Sequence, residues 1–216
     1  MNKNINPFVV SGKIPPQYFC DRVEESKQLE KALCNQMNVV LTSSRRMGKT
    51  SLVDFVFDSP TIKDNYITIS IDILHTTTFR EFILAFGTAV FDCVAARSEK
   101  WRKQFVTFLK SLSASFGYDA TSNLPTFDIK IGDVQQPEYT LQEIFKYLES
   151  INKRCLIVID EFQQITYYPE KNVEALMRTH IQKMSNSNFV FSGSQRRLKE
   201  EMYLSTKRPF IKSAKS

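Results

Sequence analysis

The sequence predicts an α/β fold in which helices cover both faces of a parallel sheet. Short apolar, β-branched runs alternate along the chain with stretches whose apolar residues recur at helical spacing, an order typical of parallel sheets. The run CLIVID is apolar throughout, as expected for a strand covered on both faces. The chain has 216 residues, 42% hydrophobic and 24% charged. This composition indicates one globular domain, with at most a small insert, and excludes disordered and fibrous proteins.

Four strands and six helices are expected. The strands are VVLT at 39–42, YITISIDI at 66–73, CLIVID at 155–160 and NFVFS at 188–192. The helices are expected at about 24–36, 51–58, 78–96, 100–115, 139–152 and 171–185. The segment 117–137 interrupts the alternation. Within it, TFDIKIGD is either a short β element or a loop on an otherwise helical insert at about 76–138.

Positive charge is concentrated at the end of the chain. Lys and Arg number 29 against 23 Asp and Glu, which gives a net charge of +6. Residues 196–216 hold seven of the bases and two of the acids, so the rest of the chain is nearly neutral. A nucleic-acid face across the whole domain is therefore not supported. The basic end either contacts an anionic partner or is simply solvated.

The cysteines and the hydropathy indicate a reducing, aqueous compartment. None of the four cysteines has the spacing of a metal ligand or of a CxxC pair, so free buried thiols are expected. No apolar run approaches the length of about 18 residues that a membrane span requires, and the start of the chain lacks the apolar core of a signal peptide. We expect a soluble cytoplasmic protein without a membrane partner.

A phosphate-binding loop is predicted directly after the first strand. The segment SSRRMGKTS at 43–51 matches the pattern GxxxxGK[ST] except at its first position. In this pattern backbone N–H groups at the start of a helix surround a polyphosphate, and Gly48 lets the main chain approach it. Lys49 would bridge the β and γ phosphates, and the Thr50 hydroxyl would help to hold Mg²⁺. The residues expected to bind nucleotide here are Ser43, Ser44, Arg45, Arg46, Met47, Gly48, Lys49, Thr50 and Ser51.

An acidic half of the site is predicted at the end of the third strand. Asp160 at the carboxyl edge of the sheet can hold the magnesium ion through water, and Glu161 would polarise the attacking water as general base. The alternative is an acidic pair that only caps the next helix. Because each motif follows a parallel strand, both are expected at the same edge of the sheet, where open α/β folds bind ligands. Together the two motifs favour a nucleotide site.

Polar residues also end the fourth strand. Ser194 and Gln195 follow directly beside the acidic strand and could sense the γ phosphate or orient the water. The alternative is an ordinary turn with a helix cap.

Five segments of the chain carry a family resemblance. They are NPF at 6–8, FCDRVEE at 19–25, SSRRMGKTSL at 43–52, LIVIDEFQ at 156–163 and FSGSQ at 191–195. Together they resemble the archaeal-type P-loop ATPase family within the AAA+/STAND group. The resemblance implies a three-layer P-loop NTPase fold of the additional-strand, catalytic-glutamate class, with sheet order 5-1-4-3-2 and the fifth strand missing or incomplete. It also implies ATP and Mg²⁺ as ligands, and it places Asp21 and Arg22 near the adenine side.

The resemblance also bears on the end of the chain. Proteins of this family usually continue into a fifth strand and then a helical or winged-helix domain, which we expect to be absent here. The segment KRPF at 207–210 resembles the stretch in which such proteins place an arginine for a neighbouring subunit or a sensor. Arg208 is therefore either such a residue or a solvated arginine. Residues 1–216 are expected to form one P-loop ATPase domain.

Two classes of function follow from these residues. The first is an ATP-hydrolysing switch that changes the conformation of an attached or bound partner, either another protein or a second copy of this chain. The second is a non-hydrolysing, nucleotide-dependent interaction module. It is motivated by Ser43, because serine would add about 1 to 2 kcal/mol of strain if this position needs a positive φ. A small-molecule kinase explains Glu161 less well, and DNA as a further partner has no independent support in the charge distribution.

Overall fold

The computed structural model of the protein describes residues 22–43, 48–109, 115–118, 125–128 and 134–194. These residues form seven α-helices, six β-strands and a 3-10 helix at Phe162–Tyr167. The helices are α1 Val23–Cys34, α2 Lys49–Phe57, α3 Pro60–Asn65, α4 Phe79–Ala95, α5 Glu99–Phe108, α6 Pro137–Ser150 and α7 Val173–Ile181. The strands are β1 Val39–Ser43, β2 Ile67–Asp72, β3 Ser115–Tyr118, β4 Pro125–Asp128, β5 Cys155–Asp160 and β6 Ser187–Ser194.

Four of the strands form one parallel sheet in the order β1-β6-β5-β2. The strand that comes last in the described chain, β6, therefore lies between β1 and β5. This is the predicted order of the first four strands, and it confirms the additional-strand class of fold. The register pairs Val39 of β1 with Val190, and Val190 with Val158 of β5.

The sheet is the middle of three layers, and β5 shows this most clearly. Cys155, Ile157 and Ile159 point into the larger core, which α4, α5 and α6 cover. Leu156 and Val158 point into the smaller core, which α1, α2 and α3 cover. A strand buried on both faces has no polar face, which is why its sequence is apolar throughout. Among the described helices, none is long and apolar enough to cross a membrane.

Helix α4 begins with a capping arrangement that its sequence encodes. The Thr78 side chain accepts a hydrogen bond from the backbone N–H of Glu81 at 3.2 Å. In return, the Glu81 carboxylate accepts one from the backbone N–H of Thr77 at 2.6 Å. These bonds satisfy donors that the first turn of a helix leaves open. The hydrogen bonds from Thr77 also lower the pKa of Glu81.

The structure differs from the predicted elements in three places. The sequence predicts a helix over 100–115, but α5 ends at Phe108 and Ser115 belongs to β3. Three serines fall in 111–115, and serine competes with the helical backbone for hydrogen bonds. Strand β3 pairs antiparallel with β4, so the first part of TFDIKIGD is the short β element rather than a loop. The short helix α3, with Pro60 in its first turn, and the 3-10 helix are not predicted.

The described cysteines Cys34, Cys93 and Cys155 are free thiols. Burial raises the pKa of Cys155 to about 12 and also raises that of Cys93. Because only a thiolate is a good nucleophile or metal ligand, these two residues act as small apolar side chains at neutral pH.

We expect Tyr147→Phe to lower the free energy of unfolding by about 1 kcal/mol. Tyr147 is fully buried, and its hydroxyl donates to the backbone carbonyl of Trp101 at 2.9 Å, which ties α6 to α5. Phenylalanine keeps the ring but removes the hydroxyl that donates across from α6 to α5. Urea denaturation followed by circular dichroism measures the difference. Tyr139→Phe is the control, because Tyr139 is 47% exposed, and equal stability of Tyr147→Phe and the parent would contradict the expectation.

Candidate functional site

The predicted site residues gather where the parallel strands end. β1 ends at Ser43 and β6 at Ser194, and these two residues pair in register. Asp160 ends β5 and pairs in register with Asp72 of β2. Helix α2 begins at Lys49, shortly after β1 in the sequence. The carboxyl edge of the sheet and the amino end of α2 thus form one surface.

Gly48 sets the direction in which the chain enters α2. It is the N-cap residue and has φ +67°, in the left-handed region that favours glycine. A Cβ atom at this position would meet no described atom within 4 Å, so the backbone angle, and not lack of space, calls for glycine. Lys49 and Thr50 then lie in the first turn, where backbone N–H groups point out of the helix and favour an anion. Only 9% of Lys49 is exposed, whereas Thr50 is exposed.

One hydrogen bond joins the two predicted halves of the site. Thr50 Oγ1 donates to Asp160 Oδ2 at 2.8 Å, across 110 positions of sequence. The hydroxyl at the start of α2 and the carboxylate at the end of β5 are therefore in direct contact. A single ion or ligand group could touch both.

Asp160 accepts two further hydrogen bonds, and one of them comes from a residue that sequence reasoning missed. The hydroxyl of Ser192 donates to Asp160 Oδ1, as does the backbone N–H of Glu161 at 2.9 Å. Ser192 lies on β6 and is only 1% exposed. Its position in the sequence is the signal that could have identified Ser192. It is a small polar residue on the same face of β6 as Val190, and β6 lies beside the strand that carries Asp160. The prediction instead singled out Ser194 and Gln195.

Glu161 adopts an unusual backbone conformation. Its φ is 55°, one of three non-glycine residues with positive φ among the described positions. It is the N-cap residue of the 3-10 helix, but its side chain makes no capping hydrogen bond to the described backbone. The alternative in which this carboxylate serves as a helix cap is therefore not observed. Backbone strain of this kind concentrates at functional sites.

The segment after Glu161 is fastened to the loop that follows β2. Gln164 Nε2 donates to the backbone carbonyl of Thr76 at 3.0 Å, and the Tyr168 and Thr76 hydroxyls are hydrogen-bonded. Glu170 accepts from the backbone N–H of Phe79, the first residue of α4, at 3.1 Å. Burial raises the pKa of Tyr168 to about 12, so its hydroxyl stays protonated at neutral pH. These contacts fix the position of the chain around Glu161.

Some of the remaining predicted residues lie in the described ranges, and the others lie outside them. Arg22 lies beside the loop glycine, with its guanidinium 3.5 Å from the Gly48 carbonyl oxygen, and Ser51 is in the first turn of α2. Ser43 is the last residue of β1 and is extended, so the positive φ that would strain a serine does not occur. The predicted residues outside the described ranges are Asp21, Ser44, Arg45, Arg46, Met47, Gln195 and Arg208.

The donor set fits a magnesium ion. Thr50 and Asp160 offer hydroxyl and carboxylate oxygens, which are the ligands that hard cations prefer. Within the described ranges, no group of three or more His, Cys, Asp or Glu side chains could hold a metal by itself. Mg²⁺ is usually held by one or two protein oxygens together with substrate phosphates and water, and Thr50 and Asp160 offer two such oxygens side by side.

We expect Ser192→Ala to lower the free energy of unfolding by about 2 kcal/mol, because it removes a buried hydrogen bond to a carboxylate. Thermal and urea denaturation in the absence of nucleotide measure the effect. Ser70→Ala is the matched control, since Ser70 is an exposed serine on β2. If the two variants lose the same stability, the bond between Ser192 and Asp160 contributes nothing of its own.

Comparisons with known proteins bear on the fold. No protein-family model matches the sequence, and no curated protein sequence matches it. A Walker-type ATPase of Pyrococcus abyssi superposes with a TM-score of 0.59 over 96% of this chain and 55% of its own length, at 19% identity. Cdc6p of Pyrobaculum aerophilum superposes with a TM-score of 0.51 over 89% of this chain and 44% of its own length, at 12% identity. The chain thus spans about half the length of these proteins, and it has the P-loop ATPase fold that its sequence predicts.

Proposed function

We propose that this chain is an ATP-binding and ATP-hydrolysing domain that uses magnesium. The observation that carries the proposal is the hydrogen bond between Thr50 and Asp160. It brings the end of a phosphate-binding loop against the carboxylate that such a site needs for its metal. The P-loop ATPase fold supports the same reading.

The nucleotide phosphates would lie against the first turn of α2. The backbone N–H groups of the turn and the partial positive charge of the helix end attract the polyphosphate. The Lys49 ammonium, already withdrawn from water, would bridge the β and γ phosphates. The segment 43–47 would surround them with further N–H groups, and Asp21 and Arg22 would lie on the adenine side.

Thr50 and Asp160 would hold the metal together. A hydroxyl has one donor and two acceptor lone pairs, so Thr50 can keep donating to Asp160 while an oxygen lone pair faces the cation. Asp160 would contribute through a bound water. The metal, when bound, neutralises charge on the β and γ phosphates.

Glu161 would act as the general base. It directly follows Asp160, so its carboxylate can accept a proton from a water aligned with the γ phosphate. Ser194 and Gln195, at the end of the neighbouring strand β6, would sense the γ phosphate or orient this water. Loss of the γ phosphate would then switch the conformation of a protein partner or of a second copy of the chain. DNA is a possible further partner on this proposal, and the charge distribution of the sequence gives it no independent support.

We expect Lys49→Ala and Glu161→Gln to have separable defects. Lys49→Ala should weaken ATP binding by about tenfold or more, since it removes a charged hydrogen bond to phosphate. Glu161→Gln should bind ATP like the parent and lose about 10² to 10⁴ in turnover, the usual contribution of a general base. Binding is measured by titration calorimetry with Mg-ATP, and turnover by phosphate release with and without magnesium.

The exposed Lys171 gives the matched control, because Lys171→Ala removes a lysine away from the loop and should change neither quantity. Unchanged hydrolysis in both the Lys49 and Glu161 variants would show that their roles are wrongly assigned.

The second candidate function is a non-hydrolysing nucleotide-dependent module, which Ser43 motivates. The extended conformation of Ser43 removes the strain on which this motivation depends. We therefore expect Ser43→Gly to change magnesium-dependent phosphate release by no more than about twofold from a measurable parent rate. A marked gain would indicate an enzyme impaired by Ser43. No release from either protein, together with tight ATP binding, would favour the module.

A further inference from the structure

We propose that Gln163 is the positioning residue for the Glu161 carboxylate. This inference rests on the proposed function and adds to it the residue that sets the direction of the general base. Gln163 Nε2 donates a hydrogen bond to Glu161 Oε2. Among the described side chains, no other donor to this carboxylate is seen.

The chemistry of the pair determines how the Gln163 amide is oriented. A carboxylate only accepts hydrogen bonds, so the amide must present its N–H₂ group to Glu161 and turn its oxygen away. Gln163 is only 1% exposed, and its side chain is therefore held in place by packing. A donor fixed in this way can hold the partly exposed Glu161 side chain in one orientation.

Burial of the Gln163 amide costs free energy, which indicates that the amide serves a purpose other than stability. Gln163 Oε1 is buried and has no partner within the described part of the chain. A buried carbonyl without a partner is unfavourable, and an apolar side chain of the same size would avoid that cost. Within the described part of the chain, the side-chain hydrogen bond of this amide is the one to Glu161.

The surroundings of Gln163 are rigid on both sides. The neighbouring Phe162 ring packs on Phe191 of β6, with ring centroids 4.5 Å apart. Thr166 Oγ1 donates to the Gln163 carbonyl oxygen at 2.8 Å, within the 3-10 helix. The sheet therefore sets the position of the Gln163 amide through Phe162.

Glu161 has little freedom left once this contact is made. Its backbone N–H donates to Asp160 at 2.9 Å, and its φ of 55° is fixed by the turn. Only the side-chain torsions remain, and the bond from Gln163 restrains them. A misplacement of about 1 Å in a reacting group can cost about 100-fold in rate, so such a restraint has a direct catalytic consequence.

The test is Gln163→Met, which keeps the length and apolar packing of the side chain and removes the donor. We expect kcat to fall by about 10- to 100-fold, with the Kd for Mg-ATP unchanged and the unfolding midpoint no lower than that of the parent, because the buried amide oxygen is removed together with the donor. Gln182→Met is the matched control, because Gln182 is an exposed glutamine at the end of α7. Its kcat should stay within about twofold of the parent.

A double-variant cycle separates positioning from a structural role. If Gln163 acts only through the Glu161 carboxylate, Glu161→Gln combined with Gln163→Met should be no slower than Glu161→Gln alone. Losses that multiply in the combined variant would mean that Gln163 acts on the fold, and they would overturn the proposal.

The outcomes also distinguish this inference from the proposed function. A parent that hydrolyses ATP, a Glu161→Gln variant that does not, and a Gln163→Met variant with unchanged kcat would overturn the inference alone. Absence of hydrolysis in the parent would overturn the proposed function and the inference with it. The contact itself is followed independently of turnover by the side-chain amide resonances of Gln163. They should shift on Glu161→Ala and not on Lys171→Ala, and unshifted resonances would also overturn the inference.

Discussion

The hydrogen bond between Thr50 and Asp160 joins the start of one helix to the end of a strand far along the chain. It exists because the four strands of the sheet run parallel, which brings all their carboxyl ends to one edge. β1 and β5 are not neighbours in the sheet, since β6 lies between them. The insertion of β6 also brings the Ser192 hydroxyl to Asp160, so the strand order sets the surroundings of this carboxylate.

The position of the site therefore depends on the packing of the sheet. Residues of β5 alternate between the two cores, and each core fixes the strand from one side. A one-residue slip of β5 would exchange the side chains that fill the two cores and would turn Asp160 to the other face of the sheet, away from Thr50. The aromatic side chains Phe189 and Phe191 of β6 pack in the larger core, and they hold the strand that contacts Asp160. Register and site geometry are thus stabilised by the same contacts.

The strands and the two motifs could be predicted from sequence because their signals are local. An apolar run followed by GKT, or by Asp160 and Glu161, carries its own context in a few neighbouring residues. Ser192 and Gln163 could not be predicted in the same way, because their partners are defined by strand order and by the turn after β5. The end of α5 at Phe108 was missed for a related reason, since a hairpin depends on pairing between segments that are separate in sequence. The positive φ of Glu161 has no signal in residue type, because glutamate rarely adopts it.

The turn after β5 explains how such a conformation can persist. A strained backbone is retained only where its surroundings hold it, and here contacts hold the chain on both sides of Glu161. Before it, Asp160 is fixed by Thr50 and Ser192. After it, Gln164 and Tyr168 both bind Thr76, in the loop that leads to α4. These hydrogen bonds form a continuous set of contacts from Asp160, through the turn that contains Glu161, to the loop before α4. Glu161 thus lies between Asp160, which contacts the first turn of α2, and the segment whose residues contact the loop before α4 and its first residue.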